Sequence, residues 1–524
     1  RSLPVDAVLA RELEWLAPQA ALLAGMRRGL EKESLRVTPD GRLATTPHHE
    51  AFGSALTPPW ITTDYSEALI ELITPATGSI AETLGFLDDI HRHVYASMGD
   101  ELLWVNSMPC LLGEDADIPL AQYGRSHIGR MKTLYRHGLG VRYGRRMQTI
   151  AGIHYNLSFP DAFWLAWQAR AGDTGTLADF RSAKYFGLVR NFQRQSWLLL
   201  YLLGASPAVC ASFLRGREHR LQDGGRGTLF LPEATSLRMS SLGYQNTVQS
   251  ELRVSYNGLD AYVRDLDHAI RTPYPLFEQI GLRDAAGQYQ QISTNILQIE
   301  NEYYGLIRPK RTTARGERPT VALSRRGVEY VELRCVDLNP FTPLGIDSTS
   351  AHFLEVFALH CLLRDAPPFS DSEYDCLPKN QQLMVEHGRD PALVLRFCGQ
   401  EGRFRDMADA LLAELAAVAP LLDAAYGTQA YTQSIAREAL KRENSALTYS
   451  ATLLAELERE DISFFEFGRR TAAEHGQWFR SRPLPPARAA EFAEAAAVSH
   501  REQAAIEAAD TGSFDDFLAQ WFRD

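Results

Sequence analysis

Cysteine is scarce and badly spaced for any framework. Six are scattered over 524 residues, at positions 110, 210, 335, 361, 376 and 398, with no Cys-x-x-Cys. That excludes a zinc ribbon and a dense disulfide scaffold. Long apolar runs are also missing. None approaches the roughly 20 residues that cross a bilayer, and the longest, Ser196-Trp197-Leu198-Leu199-Leu200-Tyr201-Leu202-Leu203-Gly204, reads as the end of a buried helix. Positive charge is outweighed, 54 Lys and Arg against 65 Asp and Glu, for a net charge of −11. Phosphate-backbone binding needs concentrated positive charge, so a chain-wide nucleic-acid surface is excluded. Arg11, Glu12 and Glu14 interrupt the opening Leu/Ala segment, which removes a signal-peptide pattern. The expectation is a cytoplasmic small-molecule enzyme with no nucleic-acid, membrane or obligatory protein partner.

Several catalytic signatures are absent too. There is no Gly-Lys-Ser/Thr of a Walker loop and no Gly-x-Ser-x-Gly elbow. Gly138-Leu139-Gly140-Val141-Arg142-Tyr143-Gly144 has the wrong spacing for a dinucleotide fingerprint and no clean strand before it, and His48-His49 lacks the helical zincin spacing.

With 45% hydrophobic and 23% charged residues, a sizeable core is available. Residues 5–24 read as an amphipathic helix, 28–75 as strands with turn signals at Pro39-Asp40-Gly41 and Pro58-Pro59, and 79–100 as a helix. Residues 147–158 alternate in polarity as a strand does, 177–204 read as a helix, and 223–227 as a flexible loop. Two further strands are expected over 291–299 and 328–339. From about 347 the chain turns helical, at 404–424, 431–458 and 487–509. Strands and helices do not alternate regularly, which favours an α+β fold over a doubly wound sheet. No repeat or linker divides the chain, so 1–524 reads as a single catalytic unit with a sheet-rich core at 26–347 and a mainly helical portion at 348–524.

The most informative residues are carboxylates placed inside apolar, strand-like runs: Glu31 and Glu33, Asp64, Glu71, and Glu332. A buried carboxylate without a partner costs several kcal/mol, so their convergence implies cations or bound metal. Residues two apart on a strand share a face about 6.5–7 Å apart, which puts Glu31 beside Glu33. The same rule groups Tyr330, Glu332 and Arg334, and groups His154 with Asn156. Oxygen ligands with one imidazole suit Mg²⁺ or Mn²⁺ better than zinc or copper. Taken singly, each has a plainer reading: a solvated strand face for Glu31 and Glu33, an arginine pair for Glu71, a hydrogen-bonded core histidine for His154. Ile307-Arg308-Pro309-Lys310-Arg311 adds three cations after a strand, either a solvated basic turn or a grip on a polyphosphate. An acidic cluster beside a basic segment is what nucleotide–Mg²⁺ chemistry needs.

Several stretches resemble a known family. Arg28-Gly29-Leu30-Glu31-Lys32-Glu33, the run from Trp60 to Glu71, Ala151-Gly152-Ile153-His154-Tyr155-Asn156, Ala234-Thr235-Ser236-Leu237-Arg238-Met239-Ser240, Gln298-Ile299-Glu300-Asn301-Glu302-Tyr303-Tyr304 and Ile307–Arg311 are similar to those of proteobacterial glutamate–cysteine ligases. The likeness is specific over about 26–347 and looser in the helical tail. It implies a curved, funnel-like antiparallel sheet flanked by helices, similar to the glutamine synthetase core. It implies ATP-driven joining of the glutamate γ-carboxyl to the amine of cysteine through γ-glutamyl phosphate, the first step of glutathione biosynthesis. Carried over residue by residue, it makes Glu31, Glu33, Asp64, Glu71, His154 and Glu332 ligands of two or three Mg²⁺ (or Mn²⁺) ions. It puts Tyr135, Gln148, Asn156, Arg238, Tyr244 and Tyr304 in the cysteine pocket, and Arg334 against the transferred phosphoryl group, with Arg308, Lys310 and Arg311 as the cations for nucleotide phosphate. Glutamate, cysteine and ATP are the expected substrates. A γ-glutamyl ligase for another amine, or a guanidino-type kinase, would keep the metal and phosphate residues and differ only in the acceptor pocket. A non-catalytic relative would have no reason to keep all six of Glu31, Glu33, Asp64, Glu71, Glu332 and Arg334.

Away from the chemistry, Cys376 and Cys398 flank the turn signal Gly388-Arg389-Asp390-Pro391. A bridge would close a loop of about 23 residues and contribute roughly 3 kcal/mol, whereas cytosolic thiols usually stay reduced.

Overall fold

The alternation that begins at Arg27 runs for eleven residues as the longest strand, β1 (Arg27–Val37). In the computed structural model, which describes residues 6–109, 111–243, 247–397 and 399–523, it centres a seven-stranded sheet. The other strands are β2 (Ile61–Thr63), β3 (Leu69–Ile73), β4 (Leu102–Leu103), β5 (Ile153–Ser158), β9 (Ile307–Lys310) and β10 (Tyr330–Val336), while β6 (Ala208–Cys210), β7 (Gln222–Asp223) and β8 (Thr228–Phe230) form a separate small sheet. The order is β2-β3-β1-β5-β10-β9, every pair antiparallel, with β4 on the far end of β1. A hairpin, β11 (Val394–Phe397) and β12 (Gln400–Arg403), stands apart. The expected α+β class is what the chain adopts.

Period 2 splits β1 into two faces. Glu31 and Glu33 point one way; Arg28, Leu30, Lys32 and Ser34 point the other, into the helical layer. That rear layer is built by the helices Ile80–Ser97, Leu177–Leu203 and Ser348–Leu363. Its strongest tie is a buried ion pair. Arg28 Nε donates to Glu355 Oε1 at 2.7 Å and Nη2 to Oε2 at 3.2 Å, while the hydroxyls of Tyr155 and Tyr431 each donate to the same carboxylate at 2.8 Å. Burial works against the Arg28 charge, yet Glu355 holds its pKa above the ordinary value. Lys32 meets His91 there at 2.7 Å, and burial pushes its amine down to about 7. A single apolar cluster runs from Leu9 to Phe492. The final helix, Phe514–Arg523, packs through Phe514 and Leu518 on Met131 and Leu134 of a further helix, His127–Tyr143.

That His127–Tyr143 helix is absent from the sequence reading, because its glycines weaken helical propensity. They serve close packing: a Cβ on Gly138 would stand 2.2 Å from Gln298 Oε1, and one on Gly140 2.4 Å from the Tyr65 hydroxyl. Residues 291–299 are irregular rather than a strand. Gln291 and Gln298 are fully buried, and Gln291 Nε2 donates to the carbonyls of Phe277 and Gly281 at 2.9 Å, at the C-terminal end of the helix Pro275–Ile280. The alternation over 147–158 becomes strand only at Ile153, after a 3₁₀ turn at Arg146–Thr149. The loop at 223–227 is a tight hairpin turn between β7 and β8, pinned by Arg226 on Asp461 at 2.6 Å. Residues 431–458 are two helices, Ala430–Glu443 and Tyr449–Glu460. Cys376 lies on the helix Asp371–His387, and Cys398 lies outside the described residues. Among the described residues no helix is long and apolar enough to cross a membrane.

Removing one partner of a buried pair leaves the other charged and uncompensated. Glu355→Leu is therefore expected to lose about 3–5 kcal/mol of stability in urea denaturation. A loss below about 1 kcal/mol, the range of an exposed pair, would contradict the role given to Arg28.

Candidate active site

The register decides which side chains meet. Glu33 stands opposite Glu71, Glu31 opposite His154, and Glu332 opposite Asn156 on one side and Arg308 on the other. All of them share the face turned away from the helical layer. His154 is the hub. Its Nδ1 lies 3.0 Å from Glu31 Oε2 and 3.7 Å from Glu332 Oε1, and its Nε2 lies 3.6 Å from Glu33 Oε1. Asn156 Nδ2 donates to Glu31 Oε1 at 3.1 Å, and the Gly152 amide to Glu33 Oε2 at 2.7 Å. Asp64 follows β2 and borders the same space.

Charge is balanced on one half of this face and not on the other. At Glu332, burial favours the neutral acid, but Lys310 at 3.6 Å, Arg334 at 2.9 Å and His154 hold its pKa well below the ordinary value. Burial and Glu332 push Glu31 upward, and its hydrogen bond to His154 with the His154 and Lys310 charges brings the net shift below. At Glu33 and Glu71 the balance goes the other way, although His154, Arg238 and Arg334 act on Glu33. Burial, then Asp64, lifts Glu33 to about 7. Burial, then Glu31, Asp64 and Glu33, lifts Glu71 well above its ordinary 4.5. Ligand atoms of Glu31, Glu71 and His154 lie within 4.8 Å of one another. An oxygen-rich donor set in which added positive charge would favour ionisation of two raised acids fits a hard divalent cation.

Arg334 sits where β10 slips against β5, between Leu333 and Val336. A bulge re-aims a side chain; here the Arg334 guanidinium reaches Glu332 and stands 5.9 Å from the Tyr304 ring. A cavity of about 620 Å³ opens beside it, lined by Glu33, Asp64, Tyr135, Gln148, Tyr304, Arg308 and Arg334 among others. Arg308 and Lys310 lie on β9 itself, facing the cluster, whereas Arg311 turns to Glu329 at 3.7 Å. Arg238 lies behind the wall, 1% exposed, with Nη1 at 3.4 Å from Asp337 and Nη2 donating to the Arg334 carbonyl at 2.9 Å; a Cβ on Gly152 would stand 2.0 Å from it. Asn156 contacts Glu31 rather than the cavity. Tyr244 lies outside the described residues. The sequence reading missed Tyr65, Arg136, Arg142 and Glu302, which also line the cavity. The signal for two of these was the spacing of Arg136 and Arg142 with Tyr135 along the His127–Tyr143 helix.

Because the folded pKa values of Glu33 and Glu71 exceed the ordinary 4.5, the folded chain keeps protons that the unfolded chain has released. Their contribution therefore disfavours the fold increasingly as pH rises from 4.5 through about 7 and beyond. With metal chelated, Glu71→Gln is expected to raise Tm at pH 8 and to leave it unchanged near pH 4.5. A variant that melts lower than the parent at pH 8 would show that Glu71 is stabilised by something other than a cation.

Comparison with known proteins is consistent with this geometry. The family model of glutamate–cysteine ligase matches residues 13–384. The chain is 52% identical over 512 residues to the glutamate–cysteine ligase of Alcanivorax borkumensis, covering 97% of this chain and 98% of that one. It is 48% identical over 514 residues to the enzyme of Pseudomonas putida, covering 98% of each. A crystal structure of the Francisella tularensis glutamate–cysteine ligase in complex with AMP superposes with a TM-score of 0.90 at 36% identity, over 95% of this chain and 98% of that one. A bifunctional glutathione synthetase from Pasteurella multocida superposes with a TM-score of 0.72 at 26% identity, over 90% of this chain and 55% of that one. The chain belongs to the glutamate–cysteine ligase family.

Proposed function

We propose that the protein joins the γ-carboxyl of L-glutamate to the amine of L-cysteine at the expense of ATP, giving γ-glutamylcysteine, ADP and phosphate, as the first step of glutathione formation. The observation that carries this reading is the half-balanced acidic face, with Arg334, Lys310 and Arg308 beside Glu332 on one side and the crowded acids Glu33, Asp64 and Glu71 on the other. Family membership supplies the substrates. We place the reaction in the cytoplasm, where the cysteine thiol stays reduced.

Glu31, Glu33, Asp64, Glu71, His154 and Glu332 would hold two or three Mg²⁺ (or Mn²⁺) ions. Bound there, the ions supply charge neutralisation for phosphate oxygens. A carboxylate is a poor acyl donor, so the glutamate γ-carboxylate attacks the γ-phosphorus of ATP and ADP leaves. Arg334, its guanidinium held by Glu332, faces the transferring phosphoryl group, and Arg308 and Lys310 add positive charge along the same side. The amine of cysteine, having lost its proton, attacks the acyl carbon of γ-glutamyl phosphate, and phosphate departs with the C–O bond electrons. Tyr135, Gln148 and Tyr304 line the acceptor side, joined in this reading by Asn156, Arg238 and Tyr244. Arg238 acts from behind the wall, through the Arg334 carbonyl. Arg311 belongs to the phosphate path only at its outer end. The two portions, 26–347 and 348–524, work as one catalytic unit, a reading supported by their shared apolar cluster. The likeness to a glutamine synthetase funnel is part of the same proposal, supported by an antiparallel sheet with acids on one face.

Three substitutions test the roles. Glu332→Gln or Glu31→Gln is expected to lower ADP release with glutamate and cysteine by about 10³-fold or more, with the fold intact by circular dichroism. Near-normal turnover in both would remove the cluster from the chemistry. Arg334→Lys keeps the charge but loses the planar fork that spans two oxygens. Its kcat should fall far more than its substrate affinity, since the contact strengthens in the transition state. A rise in KM alone would assign Arg334 to binding. A panel of amines in the same assay sets the strictness for cysteine.

A further inference from the structure

Among the described residues five arginines line the cavity beside the acidic cluster, and four of them are already committed. Arg334 pairs with Glu332 at 2.9 Å and Arg142 with Glu302 at 3.0 Å. Arg308 donates to the carbonyls of Asn301 and Tyr303, and Arg136 to those of Asp64 and Lys132. Arg217 is different. Among the described residues its guanidinium meets only the Met147 thioether, a weak acceptor, and no carboxylate lies within ion-pair distance. Burial pulls its pKa down, with no acid to offset the loss. A guanidinium carries five donors, and the protein leaves most of those on Arg217 unused.

Local sequence sets its position. Leu214-Arg215-Gly216-Arg217 forms a type II turn: Arg215 has φ −54° and ψ 123°, Gly216 has φ 76°, and the Arg217 amide donates to the Leu214 carbonyl at 2.9 Å. Glycine takes that φ without strain, and the buried Phe213 and Leu214 anchor the turn in the core. Arg146 ties it to the 3₁₀ turn that carries Met147 and Gln148, donating to the Arg215 carbonyl at 3.2 Å. Arg217 is thus held on the Gln148 side of the cavity, whereas the acidic cluster opens into it through Glu33 and Asp64. An acceptor amino acid has to turn its amine towards the acyl centre at the cluster. Its α-carboxylate is repelled by the acids there and is best placed against a cation on the opposite side. Arg238, which the family resemblance offered for the acceptor, lies behind the wall against Asp337.

We infer that Arg217 binds the α-carboxylate of the acceptor amino acid and thereby makes the site select amino acids over simple amines. The planar fork of a guanidinium matches the two oxygens of a carboxylate, and the remaining walls are left to recognise the side chain. The inference rests on the ligase reading above and adds to it the group by which the acceptor is recognised.

Cysteamine is cysteine without its carboxylate, and α-aminobutyrate carries a methyl group in place of the thiol. The test measures kcat/KM for all three acceptors by ADP release, and KM for glutamate under saturating cysteine. It uses the full-length parent, Arg217→Ala and Arg217→Gln; Arg217 is exposed on its turn, so both variants should keep the parent's melting temperature. Both should lower the preference for cysteine over cysteamine by about tenfold or more. The preference for cysteine over α-aminobutyrate and the KM for glutamate should change by less than about twofold. A variant that melts with the parent and keeps its preference for cysteine over cysteamine would overturn the inference. So would a raised KM for glutamate with that preference kept, since glutamate brings an α-carboxylate of its own. An equal loss with all three acceptors would make the effect structural and overturn it as well. A parent that releases ADP with none of the acceptors would refute the ligase reading, and the inference with it. That failure shows in the parent, the others only in the variants, so the two are distinguishable.

Discussion

Like charges held opposite one another in an antiparallel register are the constraint on which the rest of this structure depends. Glu33 faces Glu71 across β1 and β3, with Asp64 near enough to raise both acids in energy and Glu31 to raise Glu71 further. Such pairs destabilise a sheet, and nothing in the register lets them turn away, because a slip of one residue would drive every carboxylate into the helical layer. The fold tolerates the strain through the rear face. There the Arg28–Glu355 pair, with two tyrosine hydroxyls, ties β1 and β5 to the helices behind them.

The imbalance is local, and its direction matters. Towards β10 and β9 the chain supplies its own cations and Glu332 is held well below its ordinary value; towards β3 burial and the neighbouring acids prevail and lift Glu71 well above its own. A phosphoryl group brought between the two halves meets arginine and lysine on one side and carboxylates requiring a divalent ion on the other. That is a physical reason for a carboxylate-activating ATP enzyme to be built on this sheet. The slip in β10 contributes by turning Arg334 towards the site while its strand remains paired.

Much of this was legible in the sequence because strand periodicity is simple. Acids inside apolar runs at Glu31, Glu33, Glu71 and Glu332 identified the inner face, and the resemblance supplied their partners. What failed had physical causes. Gly138 and Gly140 hide a helix because they make room for Gln298 and Tyr65, a packing need that no local pattern announces. Residues 291–299 imitate a strand because their buried glutamines satisfy carbonyls of neighbouring helices instead of facing solvent. Arg238 carries the family pattern, yet its charge lies beneath Gly152 and Asp337 holds it there. Arg136 and Lys132 escaped notice with the helix that carries them.

The central claim is that the acidic face is completed by divalent cations and not by protons. Mn²⁺ titration followed by electron paramagnetic resonance tests it directly, on the parent protein and on Glu71→Gln at pH 8. The account predicts saturable binding of two or three ions in the parent when ADP is present, with at least one ion lost or weakened by about tenfold or more in the variant. Equal Mn²⁺ binding by the two proteins, or none by the parent, would contradict it.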